Sequence, residues 1–157
     1  MYSLDTSFFM DWQARHYPLD LFVGLEHRIE GLIDQGECRA VDLVREELQA
    51  VGTPDLRTWT TKNKRVFVSL SADVQLAAAA IQSAYPALMD PKGLHDSADA
   101  YVIALAKSTG GIVVSQETSV AEKHRPKQSY YIPDVCRSLG VSCINLLGMM
   151  RREKWSF

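Results

Sequence analysis

Ala98-Asp99-Ala100-Tyr101-Val102-Ile103-Ala104-Leu105-Ala106-Lys107 runs to Gly110-Gly111 and on into Ile112-Val113-Val114-Ser115. The apolar residues at 98, 102, 103, 105 and 106 recur at helical spacing, with Asp96 placed as the N-cap. The glycine pair ends that helix. The apolar run after it is too short for another helix and has the character of a strand buried in a parallel sheet. A helix feeding straight into a buried strand is half of a β-α-β unit.

The same alternation extends in both directions. Toward the C-terminus, Pro133 starts a helix to about Leu139, Gly140 ends it, residues 141–146 read as a last strand, and 147–154 as a short helix. Toward the N-terminus, residues 2–5 read as a strand and 7–13 as a helix capped by Thr6 or Ser7. A longer helix with apolar positions at 22, 25, 29, 32 and 33 is expected between Pro18 and Gly36. Residues 38–41 read as a second strand, followed by a helix from an Asp42 cap to about Val51. Residues 55–65 are polar and read as irregular or weakly helical, and 73–84 as an amphipathic alanine-rich helix. The prediction is a single α/β domain over 1–157, with three layers and helices on both faces of a central, mainly parallel sheet.

Composition bounds the function. The 157 residues are 46% hydrophobic and 23% charged, as in an ordinary globular domain. A net charge of −2 excludes a polybasic nucleic-acid binder, although an acidic cluster would mask a local basic patch. Cys38, Cys136 and Cys143 form no CxxC pair, which argues against a thiolate zinc site or a disulfide framework. No apolar run has membrane-spanning length and no basic segment opens the chain, so a cytoplasmic protein without membrane partners is expected.

Four acids stand where α/β domains place their chemistry. Asp5 follows the first strand, beside Thr6 and Ser7, whose hydroxyls can orient it. By itself it reads more readily as a helix N-cap or turn aspartate. Glu47 comes three residues after Val44 on a stripe marked by Val41, Val44 and Leu48; it faces the sheet edge, and Glu46 points outward. Asp96 and Asp99 share the first turn of their helix, where the dipole favours negative charge. That effect suffices for Asp96, whereas Asp99 lies among Ala98 and Val102 and reads as half-buried, in need of a partner or a metal. Glu117 follows the strand 112–115, with Ser115 before it. Convergent carboxylates offer hard oxygen ligands to Mg²⁺ or Mn²⁺.

Other chemistry finds less support. His16, His27, His95 and His124 lack metal-ligand spacing and read as surface or capping residues. No phosphate-cradling glycine loop and no nucleophile elbow are present. Lys62, Lys64 and Arg65, the run Lys123-His124-Arg125 with Lys127, and the C-terminal Arg151-Arg152 either meet phosphates or form solvated surface.

Leu4-Asp5-Thr6-Ser7, Val44-Arg45-Glu46-Glu47-Leu48, Ala98-Asp99-Ala100-Tyr101-Val102 and Val113-Val114-Ser115-Gln116-Glu117 follow one another in an order that resembles the PIN domain family of ribonucleases. Ile132-Pro133-Asp134-Val135-Cys136 and Leu139-Gly140-Val141-Ser142-Cys143-Ile144 are similar to a bacterial PIN-like subfamily long catalogued only as a domain of unknown function. The resemblance implies a parallel sheet flanked by helices, and Mg²⁺ or Mn²⁺ held by Asp5, Glu47, Asp99 and Glu117. It also implies endonucleolytic hydrolysis of RNA, with Ser115 orienting a ligand or water. A toxin of the VapC-like type, cleaving cellular RNA and silenced by an antitoxin protein, is the biological role it implies; a homodimer is compatible with it. Two departures stand out. The fourth acid is usually aspartate and here is Glu117, and a further acid common two residues on is here Ser119. They motivate an alternative, a PIN-like module that binds RNA or protein and cleaves weakly. A phosphatase of the haloacid-dehalogenase type also opens with strand and aspartate, but needs a second aspartate where this chain has Ser7.

Overall fold

A computed structural model describes residues 1–18, 20–89 and 97–157. Among them, β1 (Tyr2–Leu4), β2 (Cys38–Val41), β3 (Phe67–Val68), β4 (Ile112–Val114) and β5 (Ser142–Ile144) form one sheet in the order β3-β2-β1-β4-β5. Every neighbouring pair is parallel, with Tyr2 opposite both Cys38 and Ile112, Ala40 opposite Phe67, and Val113 opposite Cys143. The helices are α1 (Thr6–Ala14), α2 (Leu25–Asp34), α3 (Asp42–Val51), α4 (Pro54–Lys62), α5 (Ala72–Ala84), α6 (Asp99–Thr109), α7 (Ile132–Leu139) and α8 (Leu146–Arg152). The sheet lies between helical layers, giving the α/β/α architecture that the alternating pattern predicts.

The central stretch folds as read. α6 buries Ala100 and the whole run from Val102 to Ala106, because it packs across β1, β2 and β4. The Ser3 hydroxyl ties strand to helix by donating to the Val102 carbonyl at 2.8 Å. Gly110 closes α6 in the left-handed region at φ 61°, and Gly140 closes α7 at φ 67°, a conformation that costs other residues about 1–2 kcal/mol. Asp96 and His95 lie outside the described residues, as does Leu19.

Four expectations at the element level are corrected. Helix α1 is capped by neither Thr6 nor Ser7: Asp5 is extended at φ −87°, ψ 161°, and its own carboxylate accepts the Ser7 N–H. Helix α2 starts at Leu25, not near Pro18, because Gly24 turns the chain at φ 85° and Leu21 and Val23 stay exposed. Asp42 is the first helical residue of α3, and its carboxylate accepts from the Ser69 hydroxyl at 2.8 Å; it is not the cap. The polar stretch 55–65 is mostly helix α4, capped by Thr53 and opened by Pro54, and it leads into β3, a strand of two residues that the pattern did not reveal. Tertiary packing explains α4. Its buried Leu56 and Trp59 close the aromatic core of α1, with Trp59 edge-on to Trp12 at 4.9 Å and 5.7 Å from Phe9. The indole N–H and the Asn63 amide both donate to Glu30 Oε1 at 3.2 Å, which satisfies the polar atoms brought in with them.

No helix among the described residues is long and apolar enough to cross a membrane.

Candidate metal centre

A parallel sheet puts all its strand ends of one kind on one edge. The order β3-β2-β1-β4-β5 grows first to one side of β1 and then to the other, so the chain reverses direction between β1 and β4. The crevice outside the carboxyl ends at such a reversal is where open α/β sheets bind ligands. Asp5 and Ser115 are the first residues beyond those two strands. Helix α6 leads back into β4 and its first residue is Asp99; α3 supplies Glu47.

Asp5 is 3% exposed and Ser115 1%. Oδ2 of Asp5 accepts from the Ser7 hydroxyl at 2.5 Å, the Ser7 N–H at 3.2 Å and the Ser115 hydroxyl at 3.0 Å. Ser115 Oγ in turn accepts the Glu117 N–H at 3.1 Å, and Ser7 Oγ accepts the Gln116 N–H at 2.9 Å. Two hydroxyls thus lock the chain after β4 against the chain after β1.

Glu47 bridges two helices. One oxygen accepts from the Thr6 hydroxyl and the other from the Ala98 N–H at 2.9 Å, at the start of α6. Thr6 is therefore a ligand of Glu47, not of Asp5. Glu117 reaches α7, where its Oε2 accepts the Ile132 N–H at 3.1 Å. Asp5 caps α1, Glu47 caps α6 and Glu117 caps α7, so three positive helix ends point into one acidic crevice. Capping alone explains a carboxylate at those three places. Asp99 caps no helix end: it stands in the first turn of α6 with Ser97 as a hydrogen-bond partner.

The electrostatics follow. Burial pushes all four carboxyls up from their ordinary range, and it is the largest cause in each. Asp99 is raised well above that range, next by the charge of Asp5 and then by Glu117 and Glu47. Asp5 also raises Glu47 and Glu117. Among the described residues no ion pair reaches any of the four. Four acids sensing one another without a paired cation are a donor set for a hard divalent ion.

As the side chains stand, no three His, Cys, Asp or Glu among the described residues form a group that could hold an ion. The hydrogen bonds give the reason: both glutamates spend oxygens on backbone N–H groups. Magnesium needs only one or two direct carboxylates and keeps several waters. Asp5 and Asp99 supply that number, and the donor set fits the metal with Glu47 and Glu117 acting through water.

Of the two hydroxyls expected to orient Asp5, that of Ser7 does so, whereas that of Thr6 turns to Glu47. Ser119 does not replace a missing acid ligand: it is buried and caps the short turn 120–122 through Glu122 Oε2 at 2.8 Å. Arg65 is paired with Asp34 at 2.5 Å and precedes β3. It and Lys64 therefore lie toward the amino edge of the sheet, away from the acids. The run from Lys123 does lie near them, since the Lys123 charge counters the rise at Glu117.

No curated protein is detectably similar to this chain. The family described as Domain of unknown function (DUF4411) matches residues 2–157, nearly the whole chain, and the chain belongs to that family.

Proposed function

We propose that the crevice is a Mg²⁺- or Mn²⁺-dependent centre for endonucleolytic hydrolysis of RNA, and that the protein is the toxin of a toxin–antitoxin pair, as its resemblance to PIN domains implies. The observation that carries the reading is Asp99: a carboxylate buried among three others at the carboxyl edge of the sheet, with no ion-pair partner among the described residues. The first turn of α6 returns part of the cost of burying such an acid, and no partner charge among the described residues returns the rest.

In this reading Asp5 and Asp99 hold the ion directly. When bound, the ion supplies positive charge at the phosphate and makes water a stronger acid near neutral pH. Ser7 and Ser115 hold Asp5 Oδ2, which limits how the carboxylate can turn. Glu47, its carboxyl raised by burial, accepts the proton of the attacking water. Thr6 holds Glu47 in place for that transfer. Asp5→Asn and Asp99→Asn should each abolish Mn²⁺-dependent cleavage of RNA; retained cleavage in both variants sinks the assignment.

A second reading, a module that binds RNA or protein and cleaves weakly, is favoured by the engagement of both glutamates with backbone N–H groups. Melting in millimolar Mn²⁺ separates the two, because an ion bound to the folded state alone raises Tm. No rise in Tm supports the binding module.

A further inference from the structure

The chain from Lys123 to Tyr131 leaves the carboxylate crevice as an exposed strip pinned at both ends. Its far end is fixed by the Ile132 N–H on Glu117 Oε2, and its near end by the Lys123 N–H on the Val120 carbonyl at 3.2 Å. Asp134 adds a clamp, its Oδ2 accepting the Val120 N–H at 2.9 Å and the Tyr131 N–H at 3.0 Å. Tyr130 is two residues from Ile132, at most about 7 Å of chain.

The two tyrosines have different duties. Tyr131 is occupied: Lys123 Nζ stands 4.1 Å from its ring centre and its hydroxyl accepts the Lys127 N–H at 3.0 Å. Tyr130 meets Tyr85 edge to face, with centroids 5.4 Å apart and planes at 88°, and remains 41% exposed. It is a ring held on one side by protein and open on the other. His124, Arg125 and Lys127 are exposed in the same segment. A chain of net charge −2 thus gathers cations and a fixed aromatic ring along a segment whose end meets Glu117.

We propose that this strip binds single-stranded nucleic acid, with one base stacked on Tyr130 and the neighbouring phosphates held by Lys123, Arg125 and Lys127. Stacking platforms beside backbone-tracking cations are how proteins hold single strands without reading sequence. A duplex keeps its bases in its own stack and presents none to Tyr130. The proposal rests on the reading of the crevice as an RNA-cleaving centre, and concerns how the strand is held.

Polarisation of a labelled single-stranded RNA in EDTA tests it without turnover. Wild type should bind the strand and bind the matching blunt duplex much more weakly. Tyr130→Ala should weaken binding roughly tenfold, the effect of losing one stacked base, and Tyr130→Phe should restore it. Replacing Lys123, Arg125 and Lys127 by alanine should reduce the slope of log affinity against log salt by roughly 2. Failure of wild type to bind the strand, equal affinity of wild type and Tyr130→Ala, or equal affinity for strand and duplex overturns the proposal. Strand binding without any Mn²⁺-dependent cleavage refutes the hydrolytic reading and leaves this subsite standing. Cleavage with unchanged KM in Tyr130→Ala overturns the subsite alone.

Discussion

Asp99 and Ser115 make opposite predictions for stability. Replacing Asp99 by asparagine removes one buried charge from a cluster of four while keeping its size. The metal-free protein should therefore melt higher at neutral pH, by roughly the 2–4 °C that about 1 kcal/mol makes in a chain this long. The same change abolishes cleavage, so a gain in Tm with a loss of activity separates a functional acid from a structural one. Ser115→Ala does the reverse. It leaves Asp5 Oδ2 without one donor and the Glu117 N–H without an acceptor in a dry site, and should cost about 1–3 kcal/mol in a denaturant melt. At this scale much of the site was legible in the chain. Asp5, Glu47, Asp99 and Glu117 could be named because each sits next to an apolar run whose end is predictable. Which hydroxyl serves which acid was not legible: Thr6 follows Asp5 in sequence yet binds Glu47, forty-one residues away.

Among the elements, α7 and the segment before it are held to the site by side-chain hydrogen bonds as well as by the packing of Ile132, Val135 and Cys136. Asp134→Ala orphans two backbone N–H groups at the entry to α7. A loss of about 1 kcal/mol is expected, with the damage local. Brief trypsin treatment should then cut after Lys123 or Lys127 far faster than in wild type, while the Tm response to Mn²⁺ persists. Equal cleavage of the two proteins would show that the clamp does not order the strip. Elements with strong local signals were readable from the chain: α6 by its apolar stripe, β4 by its run of three branched residues, and α7 by Pro133 and Gly140. Helix α4 and strand β3 were not. Two large buried residues in a polar stretch leave little periodicity, and a strand of two residues leaves none.

For the molecule as a whole, pH and metal act on one balance. Burial and mutual repulsion raise the folded-state pKa of all four acids above their unfolded values. The folded protein then holds more protons than the unfolded chain between those values. The contribution is fully present below the unfolded carboxylate range near pH 4 and is lost as pH rises through the folded pKa values. Metal-free Tm should accordingly fall from about pH 4 toward neutrality, less steeply in Asp99→Asn, and Mn²⁺ should recover part of the loss at neutral pH. A pH profile identical in wild type and Asp99→Asn would refute the coupling. The amino-acid sequence by itself determined the class of fold and the acids worth watching, because periodicity, glycine stops and strand ends are local properties of the chain. Only the tertiary structure decided that these acids lie close enough to raise one another's pKa, that three of them accept N–H groups at helix starts, and that a basic strip with an open tyrosine ends on Glu117. Those are facts of strand order and helix direction, which bring together residues as distant as Asp5 and Glu117 and which no short stretch of sequence contains.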